Sequence, residues 1–137
     1  MKKPNIYDFL ANPLNGPEIE ARSFAIIDRE ARTHDFSPEE WQVVRRMIHT
    51  VGDFSIMDNI RFSPEAITSA VKALQTGKPI YADSNMIRAG ISRTRLQAVH
   101  PSYGPGSLIC YVDDDEVARR AHAQNMPRSL LAVQKAK

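Results

Sequence analysis

The chain contains only one cysteine, Cys110, among its 137 residues. An internal disulfide is therefore excluded, which predicts a reducing compartment such as the cytoplasm. No apolar run approaches the roughly 20 residues of a membrane span. The two lysines near the start are followed by no apolar stretch, so a secretory signal is not predicted either. We expect Cys110 to pack as a small core residue.

Residues that build metal and nucleotide sites are also scarce. The four histidines are far apart, and Cys110 has no second cysteine, so the ligand spacing of a zinc site is missing. The six glycines form no phosphate-binding loop, and no serine lies in a nucleophile elbow. The sequence therefore predicts neither a bound metal nor another cofactor.

The charge is nearly balanced in total and uneven along the chain. Eighteen basic and 16 acidic residues leave a formal net charge of +2, which gives no argument for nucleic acid as a partner. Residues 1–83 carry a small acidic excess, whereas residues 84–137 hold 8 basic and 4 acidic residues. Arginines outnumber lysines by 12 to 6. Arginine binds carboxylates and phosphates well, so an anionic small molecule is one interpretation and a solvated basic surface is the other.

The composition predicts a single domain over 1–137. Apolar residues make up 42% of the chain, enough for one packed core. Residues 1–17 are rich in proline and asparagine and are expected to form an irregular N-terminal arm. Pro17 with acidic residues after it predicts a first helix that runs to about Arg32.

The second helix has the clearest pattern. Ser37 is expected to cap it, with Pro38 in the first turn and Glu40 completing a capping box. Gly52 is expected to end it in a left-handed conformation. The predicted buried stripe consists of Trp41, Val44, Ile48 and Val51.

The later segments predict a helix, two strands and further helices. Ser63 followed by Pro64 opens a third helix that ends before Gly77, and the preceding stretch 54–62 is ambiguous and could contain a short strand. The apolar runs 79–82 and 107–112 lack strict alternation, as buried parallel strands do. Helices are predicted at 115–123 and 129–136, with a loop at 101–106. Alternation of helices and buried strands indicates an α/β domain whose sheet has about three or four strands.

Three segments contain residues suited to catalysis or ligand binding. For each of them, a purely structural role is the alternative interpretation. His49 lies in the last turn of the second helix, where carbonyl groups favour the imidazolium; this suits a proton donor, and equally a histidine that only stabilises the helix end. The segment Asp83–Met86 follows a predicted strand, where ligands bind in α/β sheets, but Asp83 or Ser84 could simply cap a helix. Asp113–Asp115 resemble a metal site, although capping of the next helix explains them better.

Several blocks in order and spacing resemble the precorrin-8X methylmutase family of cobalamin biosynthesis. The resemblance covers about Glu20 to Ser129. The blocks are Arg22–Ile27, Arg46–Thr50 with Gly52–Asp53, Phe62–Pro64, Gly77–Ile80, Asp83–Met86, Ala89–Ile91 and Arg128–Ser129.

The resemblance implies a cofactor-independent isomerase that moves a methyl group between adjacent corrin ring carbons, assisted by proton transfer. The substrate would be precorrin-8X or its cobalt-containing equivalent, and the sequence does not distinguish them. A three-layer, flavodoxin-like, mainly parallel fold and a homodimer are also implied. Because family members continue beyond the matching segment, we expect a C-terminally truncated version, and a non-catalytic module that binds a tetrapyrrole or a protein is the alternative.

The resemblance also assigns roles to residues. The family's catalytic histidine falls on His49, its substrate-contacting serine on Ser23 and its later arginine on Arg128. A carboxylate-rich substrate gives the neighbouring arginines a role as anchors. The expected substrate-binding residues are Ser23, Arg22, Asp83, Asn85, Met86, Arg88 and Arg128. We further expect the His49 ring to face Ser23 and the Asp83–Met86 turn.

Overall fold

The computed structural model describes Ala11 and residues 13–137. The chain divides into two compact units, Met1–Ile67 and Thr68–Lys137. Most of the predicted N-terminal arm lies outside the described residues. Residues 13–15 have no regular structure, and the helix predicted from Pro17 begins at Gly16, within the stretch expected to be irregular. That the whole chain forms one domain stays a prediction.

Two capped helices dominate the first unit. Helix α1 spans Gly16–Glu30, and Asn15 caps it with a capping box that includes Glu18. Helix α2 spans Pro38–Val51, and its N-terminus has the predicted capping box between Ser37 and Glu40. Gly52 ends α2 with a φ of 69°, as predicted, because a left-handed residue there lets the chain leave the helix without steric strain.

The core of the first unit lies where α1 and α2 meet the segment after Gly52. Ile27, Val44, Ile48 and Met57 are buried together, and Trp41 packs against them. The prediction that Val51 belongs to the buried stripe is wrong, because its side chain is 54% exposed. It occupies the last helical position, where the chain turns away and leaves it uncovered by the described residues.

The segment after α2 is a 3₁₀ helix at Phe54–Asp58, so the suggestion of a short strand there is wrong. Asp53 accepts a hydrogen bond from the Ser55 amide at 2.8 Å and thereby caps this helix. The same contact holds the pKa of the Asp53 carboxyl below its usual range. The side chain of Asp53 therefore satisfies a backbone amide locally, whereas in a strand that amide would need a partner on another strand.

Three helices and a strand follow along the chain. Helix α3 spans Ala66–Gln75, two residues later than predicted, because residues 64–65 form a turn. Strand β1 is Ile80–Tyr81, helix α4 is Asn85–Gly90 and helix α5 is Arg93–Val99.

Beyond α5, the second unit contains a second 3₁₀ helix, one strand and two helices. The 3₁₀ helix Pro105–Ser107 leads into β2 at Leu108–Ile109. Helices α6 at Asp115–Gln124 and α7 at Arg128–Ala136 complete the chain close to the predicted limits.

The two strands pair in parallel, as predicted for these segments. Ile80 lies opposite Leu108, and Tyr81 lies opposite Ile109. The ladder is shorter than expected, since Tyr111 accepts a hydrogen bond from the Asp114 amide in a turn and packs against α6 and α7. Within the described residues the sheet has two strands instead of three or four. The protein is mostly helical with a small parallel sheet and belongs to the α/β class in this sense.

Helices α6 and α7 form the second core. Val117 and Ala121 of α6 are buried against Leu131 and Ala132 of α7. Asp114 caps α6, which confirms the capping interpretation of the acidic run. Lys135 of α7 donates to Asp114 at 2.8 Å and holds the pKa of that carboxyl below its usual range.

Tyr103 joins the loop before β2 to the end of α3. Its side chain is 2% exposed, and its hydroxyl lies 3.2 Å from the Leu74 carbonyl oxygen and 3.0 Å from that of Lys78. Cys110 is buried, as predicted. In the part of the chain that the structure describes, no helix is both long and apolar enough to cross a membrane.

Replacement of Gly77 by alanine is expected to destabilise the second unit. Gly77 has a φ of 67°, and a Cβ there would lie 2.3 Å from Ser102 Oγ and 2.6 Å from His100 Nδ1. The left-handed conformation alone costs about 1–2 kcal/mol for a residue with a Cβ. Gly77→Ala should therefore lower the free energy of unfolding by at least that amount in urea titrations. Gly90→Ala is the matched control, because a Cβ at Gly90 meets nothing within 4 Å. An equal loss of unfolding free energy in both variants would contradict the steric explanation given for Gly77.

Candidate functional site

The structure brings Ser23 of α1 and His49 of α2 into direct contact. Ser23 Oγ and His49 Nδ1 are 2.7 Å apart, and the pair is partly buried. The two residues are 26 positions apart in the sequence, so only the packing of α1 on α2 makes them neighbours. His49 lies in the last turn of its helix, as predicted. The expected contact between its ring and Ser23 is confirmed.

The contact with Ser23 distinguishes the two ring nitrogens of His49. Nδ1 is occupied by the serine hydroxyl, whereas Nε2 makes no hydrogen bond to the described residues. A hydrogen bond on one nitrogen fixes the orientation of the imidazole and leaves the other nitrogen for a ligand. The arrangement can therefore deliver or accept a proton at Nε2.

Phe24 lies against the histidine, and two arginines lie over the Phe24 ring. The rings of Phe24 and His49 meet edge to face, with centroids 5.5 Å apart and an interplanar angle of 77°. The guanidinium carbons of Arg45 and Arg46 lie 4.4 Å and 4.9 Å from the centre of the same phenyl ring. Phe24 is thus held by aromatic and cation–π contacts and restricts the tilt of the imidazole.

An ion pair fixes the register of the two helices next to this contact. Arg46 Nη1 and Nη2 donate to the two carboxylate oxygens of Glu20 at 2.7 Å and 3.0 Å. The hydrogen bond to Glu20 raises the pKa of Arg46 above its usual value. Glu20 and Ser23 are one turn apart on α1, as Arg46 and His49 are on α2. The ion pair therefore aligns the turns that carry Ser23 and His49.

A second set of polar contacts ties α2 to the end of α1. Asp28 accepts hydrogen bonds from Trp41 Nε1 at 2.9 Å and from Arg45 at 2.7 Å. Arg45 is well covered, with 17% of its side chain exposed. Both arginines of α2 near the histidine are consequently paired with carboxylates of α1.

An apolar groove lies along α1 beside Ser23. Its volume is about 530 Å³, and Ser23 and Arg22 provide its polar lining. The apolar walls are Pro13, Leu14, Ile19 and Ile26. Ile19 and Ile26 are about half exposed, so the described residues leave this face of α1 partly uncovered. The groove can hold a large apolar group with an anionic substituent near Arg22.

Four of the remaining predicted site residues, Asp83, Asn85, Met86 and Arg88, lie in the second unit, in α4 or just before it. Ser84 caps α4 by accepting a hydrogen bond from the Ile87 amide at 3.3 Å, so the capping alternative holds for this serine. Asn85 and Arg88 line a cavity of about 470 Å³. Asp83 is exposed after β1, and Met86 is 82% exposed and does not line that cavity. That the Asp83–Met86 turn faces His49 stays a prediction.

Arg128 lies at the beginning of α7 and is exposed. Its side chain makes no hydrogen bond or ion pair with any residue that the structure describes. A guanidinium in this state is free to pair with an anion, and it is equally typical of a solvated surface. No hydrogen bond or ion pair among the described residues therefore links Arg128 to another predicted site residue.

The sequence did not predict the roles of the residues that hold the histidine in place, Glu20, Phe24 and Arg46. Glu20 was interpreted only as an acid in the first helical turn, and Phe24 and Arg46 only as parts of a family block. Glu20 and Arg46 are 26 positions apart, the same separation as Ser23 and His49. A repeated separation of this kind between polar residues is a signal that could have indicated the contact, but it is recognisable only once two helices are known to pack together.

These features define a small α/β protein in which a histidine is hydrogen-bonded to a serine that lines an apolar groove. Proteins of this class can transfer a proton to or from a bound ligand. A sequence model of the precorrin-8X methylmutase family, CbiC, matches residues 18–137. The chain belongs to this family.

Individual relatives agree with this assignment. The chain is 40% identical over 121 residues to the cobalt-precorrin-8 methylmutase of Leptospira interrogans, covering 88% of this chain and 53% of that protein. It is 39% identical to the corresponding protein of Salmonella typhimurium, covering 84% of this chain and 55% of the relative. The crystal structure of the Thermus thermophilus precorrin-8X methylmutase matches with a TM-score of 0.74 and 40% identity over 88% of this chain and 55% of that one. The chain thus spans about half the length of these relatives.

Proposed function

We propose that this chain carries the proton-transfer site of a corrin methyl-shifting isomerase of cobalamin biosynthesis. The observation that carries the proposal is the 2.7 Å contact between Ser23 Oγ and His49 Nδ1 in a chain of the precorrin-8X methylmutase family. Relatives are named for precorrin-8X or for cobalt-precorrin-8 as substrate. We propose the corrin class as substrate, with cobalt as a part of the substrate where it is present.

In this proposal His49 acts through Nε2. The proton is delivered to the corrin as the methyl group leaves one ring carbon and bonds to its neighbour. An isomerisation leaves the composition of the substrate unchanged, so the rearranged corrin returns one proton to the imidazole, which is then ready for the next turnover. Ser23 holds Nδ1 and thereby leaves Nε2 for the ligand. A positioned general acid of this kind contributes about 10²–10⁴-fold in rate.

The groove on α1 supplies the binding part of the proposal. Ile19 and Ile26 offer apolar surface to one edge of the flat macrocycle, and Arg22 offers a cation to one of its carboxylate side chains. Binding next to Ser23 would hold the macrocycle beside the imidazole, and such positioning lowers the barrier of a reaction that needs no nucleophile.

The wider properties of the family belong to the same proposal. We propose a homodimer in the cytoplasm and the three-layer, flavodoxin-like arrangement for the complete fold. Half-exposed apolar side chains on α7, at Leu130 and Val133, support burial against further protein. The buried single thiol of Cys110 supports a reducing compartment.

The test is to incubate the purified protein with precorrin-8X and to record the absorption spectrum of the corrin over time. Conversion to hydrogenobyrinic acid is the expected result, and a tight coloured complex with the product should co-elute on gel filtration. Binding without conversion would replace the isomerase by a non-catalytic tetrapyrrole-binding module. Absence of both binding and conversion would refute the proposal.

A further inference from the structure

We propose that Asn85, Arg88 and Arg93 form a binding site for a carboxylate group of the corrin. The identity of the ligand rests on the proposed function, whereas the anion site itself rests on the cavity in the second unit. This cavity, here called the Arg88 pocket, has a volume of about 470 Å³. Its lining consists of Asn85, Arg88, Ala89, Arg93, Pro105 and Leu108.

The positive charge of the Arg88 pocket is not compensated by the described residues. Two of its six lining residues are arginines, and none is acidic. Neither the Arg88 nor the Arg93 side chain makes a hydrogen bond or ion pair with any residue that the structure describes. Arg88 is half-buried nonetheless. Two guanidinium groups that share a concave surface repel each other, and an anion between them relieves that repulsion.

The contrast with the first unit shows that this arrangement is not typical of arginines in the chain. There, Arg46 is paired with Glu20 and Arg45 with Asp28. Those pairs hold two helices together. Arg88 has no such contact with the described residues, so its guanidinium is available to a ligand.

Asn85 provides an independent observation. Its Oδ1 is shut off from solvent and has no hydrogen-bond partner among the described residues. Buried polar atoms in folded proteins are nearly always paired, so an unpaired one marks a place where a ligand or water binds. A half-turn of the amide exchanges Oδ1 and Nδ2, and the amide can then donate to an anion held by the two arginines.

The chemistry of the pocket favours a carboxylate carried on an aliphatic arm. The planar fork of an arginine matches the two oxygens of a carboxylate. Ala89, Pro105 and Leu108 offer apolar contacts to the methylene groups of such an arm. Corrins of this pathway carry acetate and propionate side chains, which have this combination of groups.

The experiment measures the affinity of the full chain for hydrogenobyrinic acid by absorbance titration. Arg88→Gln and Arg93→Gln should each weaken binding about tenfold, because each removes a charge-assisted hydrogen bond to the carboxylate. Arg95→Gln is the matched control, since Arg95 lies on the same helix as Arg93, is exposed and does not line the Arg88 pocket. Its affinity should equal that of the unchanged protein. With the methyl ester of the corrin, which has no carboxylate, the pocket variants and the control should bind alike.

A second titration uses citrate as a simple carboxylate and inorganic phosphate as the alternative anion, monitored by the arginine Nε–Hε signals in NMR spectra. Perturbation of Arg88 and Arg93 by citrate at lower concentration than by phosphate supports the carboxylate site. Citrate binding that depends on Arg88, in a chain that binds no corrin, supports the anion site and overturns both its assignment to a corrin and the proposed function. Corrin conversion with unchanged affinity in Arg88→Gln and Arg93→Gln overturns the site and leaves the proposed function intact.

Discussion

The His49→Ala variant is expected to lose all measurable methyl-shift activity while it folds and binds the corrin like the unchanged protein. His49 is half-buried and lies outside the core cluster formed by Ile27, Val44, Ile48 and Met57, so its removal leaves no large cavity. The proton donated at Nε2 cannot be replaced by a neighbouring group, because the only described contact of the ring nitrogens is with the Ser23 hydroxyl. The expected loss is about 10²–10⁴-fold.

The measurement is the initial rate of the spectral change with precorrin-8X, together with a binding titration of the product. His122→Ala is the control, since His122 also lies in the last turn of a helix but is exposed, and its side chain makes no hydrogen bond, ion pair or ring contact with the described residues. It should react at the original rate. A His49→Ala protein as fast as the control would show that His49 is a ligand contact only.

The largest expected loss of stability follows replacement of Ile48, the residue next to the histidine. Ile48 is 2% exposed and packs in the core between α1 and α2. Removal of most of a buried isoleucine side chain costs about 2–5 kcal/mol, through lost burial and the cavity that remains. Ile48→Ala should lower the free energy of unfolding by this amount in urea titrations. The contact between Ser23 and His49 depends on the same packing, so activity should fall at temperatures where the variant begins to unfold.

Val51→Ala is the matched control on the same helix. The Val51 side chain is 54% exposed, and exposed substitutions of this kind usually change stability by less than about 0.5 kcal/mol. Equal losses in the Ile48→Ala and Val51→Ala variants would mean that Val51 is buried in solution. That result would restore the stripe expected from the sequence and contradict the packing described for α2.

Local signals predicted the helix ends well. Ser37 with Glu40 and Asp114 each begin a helix as their residue types indicate, because an N-cap is a contact between residues two or three positions apart. Gly52 adopts the left-handed conformation for an equally local reason, the absence of a Cβ. Resemblance to the family also proposed His49 and Ser23 as site residues, and the structure shows that they are in contact.

Patterns that depend on distant partners were predicted less well. The apolar run at 107–112 contains only two strand residues, because Tyr111 packs against α6 and α7 and forms a turn. The 3₁₀ helix at Phe54–Asp58 replaced a possible strand, since no partner strand for it is present among the described residues. A strand needs hydrogen bonds from another segment, and sequence periodicity does not specify that segment.

By itself, the sequence determined the family and the capped helices and proposed His49 as the functional histidine, because these inferences rest on residues close to one another or on ordered blocks. Only the tertiary structure decided that Ser23 occupies Nδ1 of His49 and that Glu20 and Arg46 align the two helices. It also decided that Arg88 and Arg93 share one cavity without a carboxylate partner among the described residues. These are contacts across helices or around a loop, and their free energies arise from packing and from charges that approach one another only after the chain has folded.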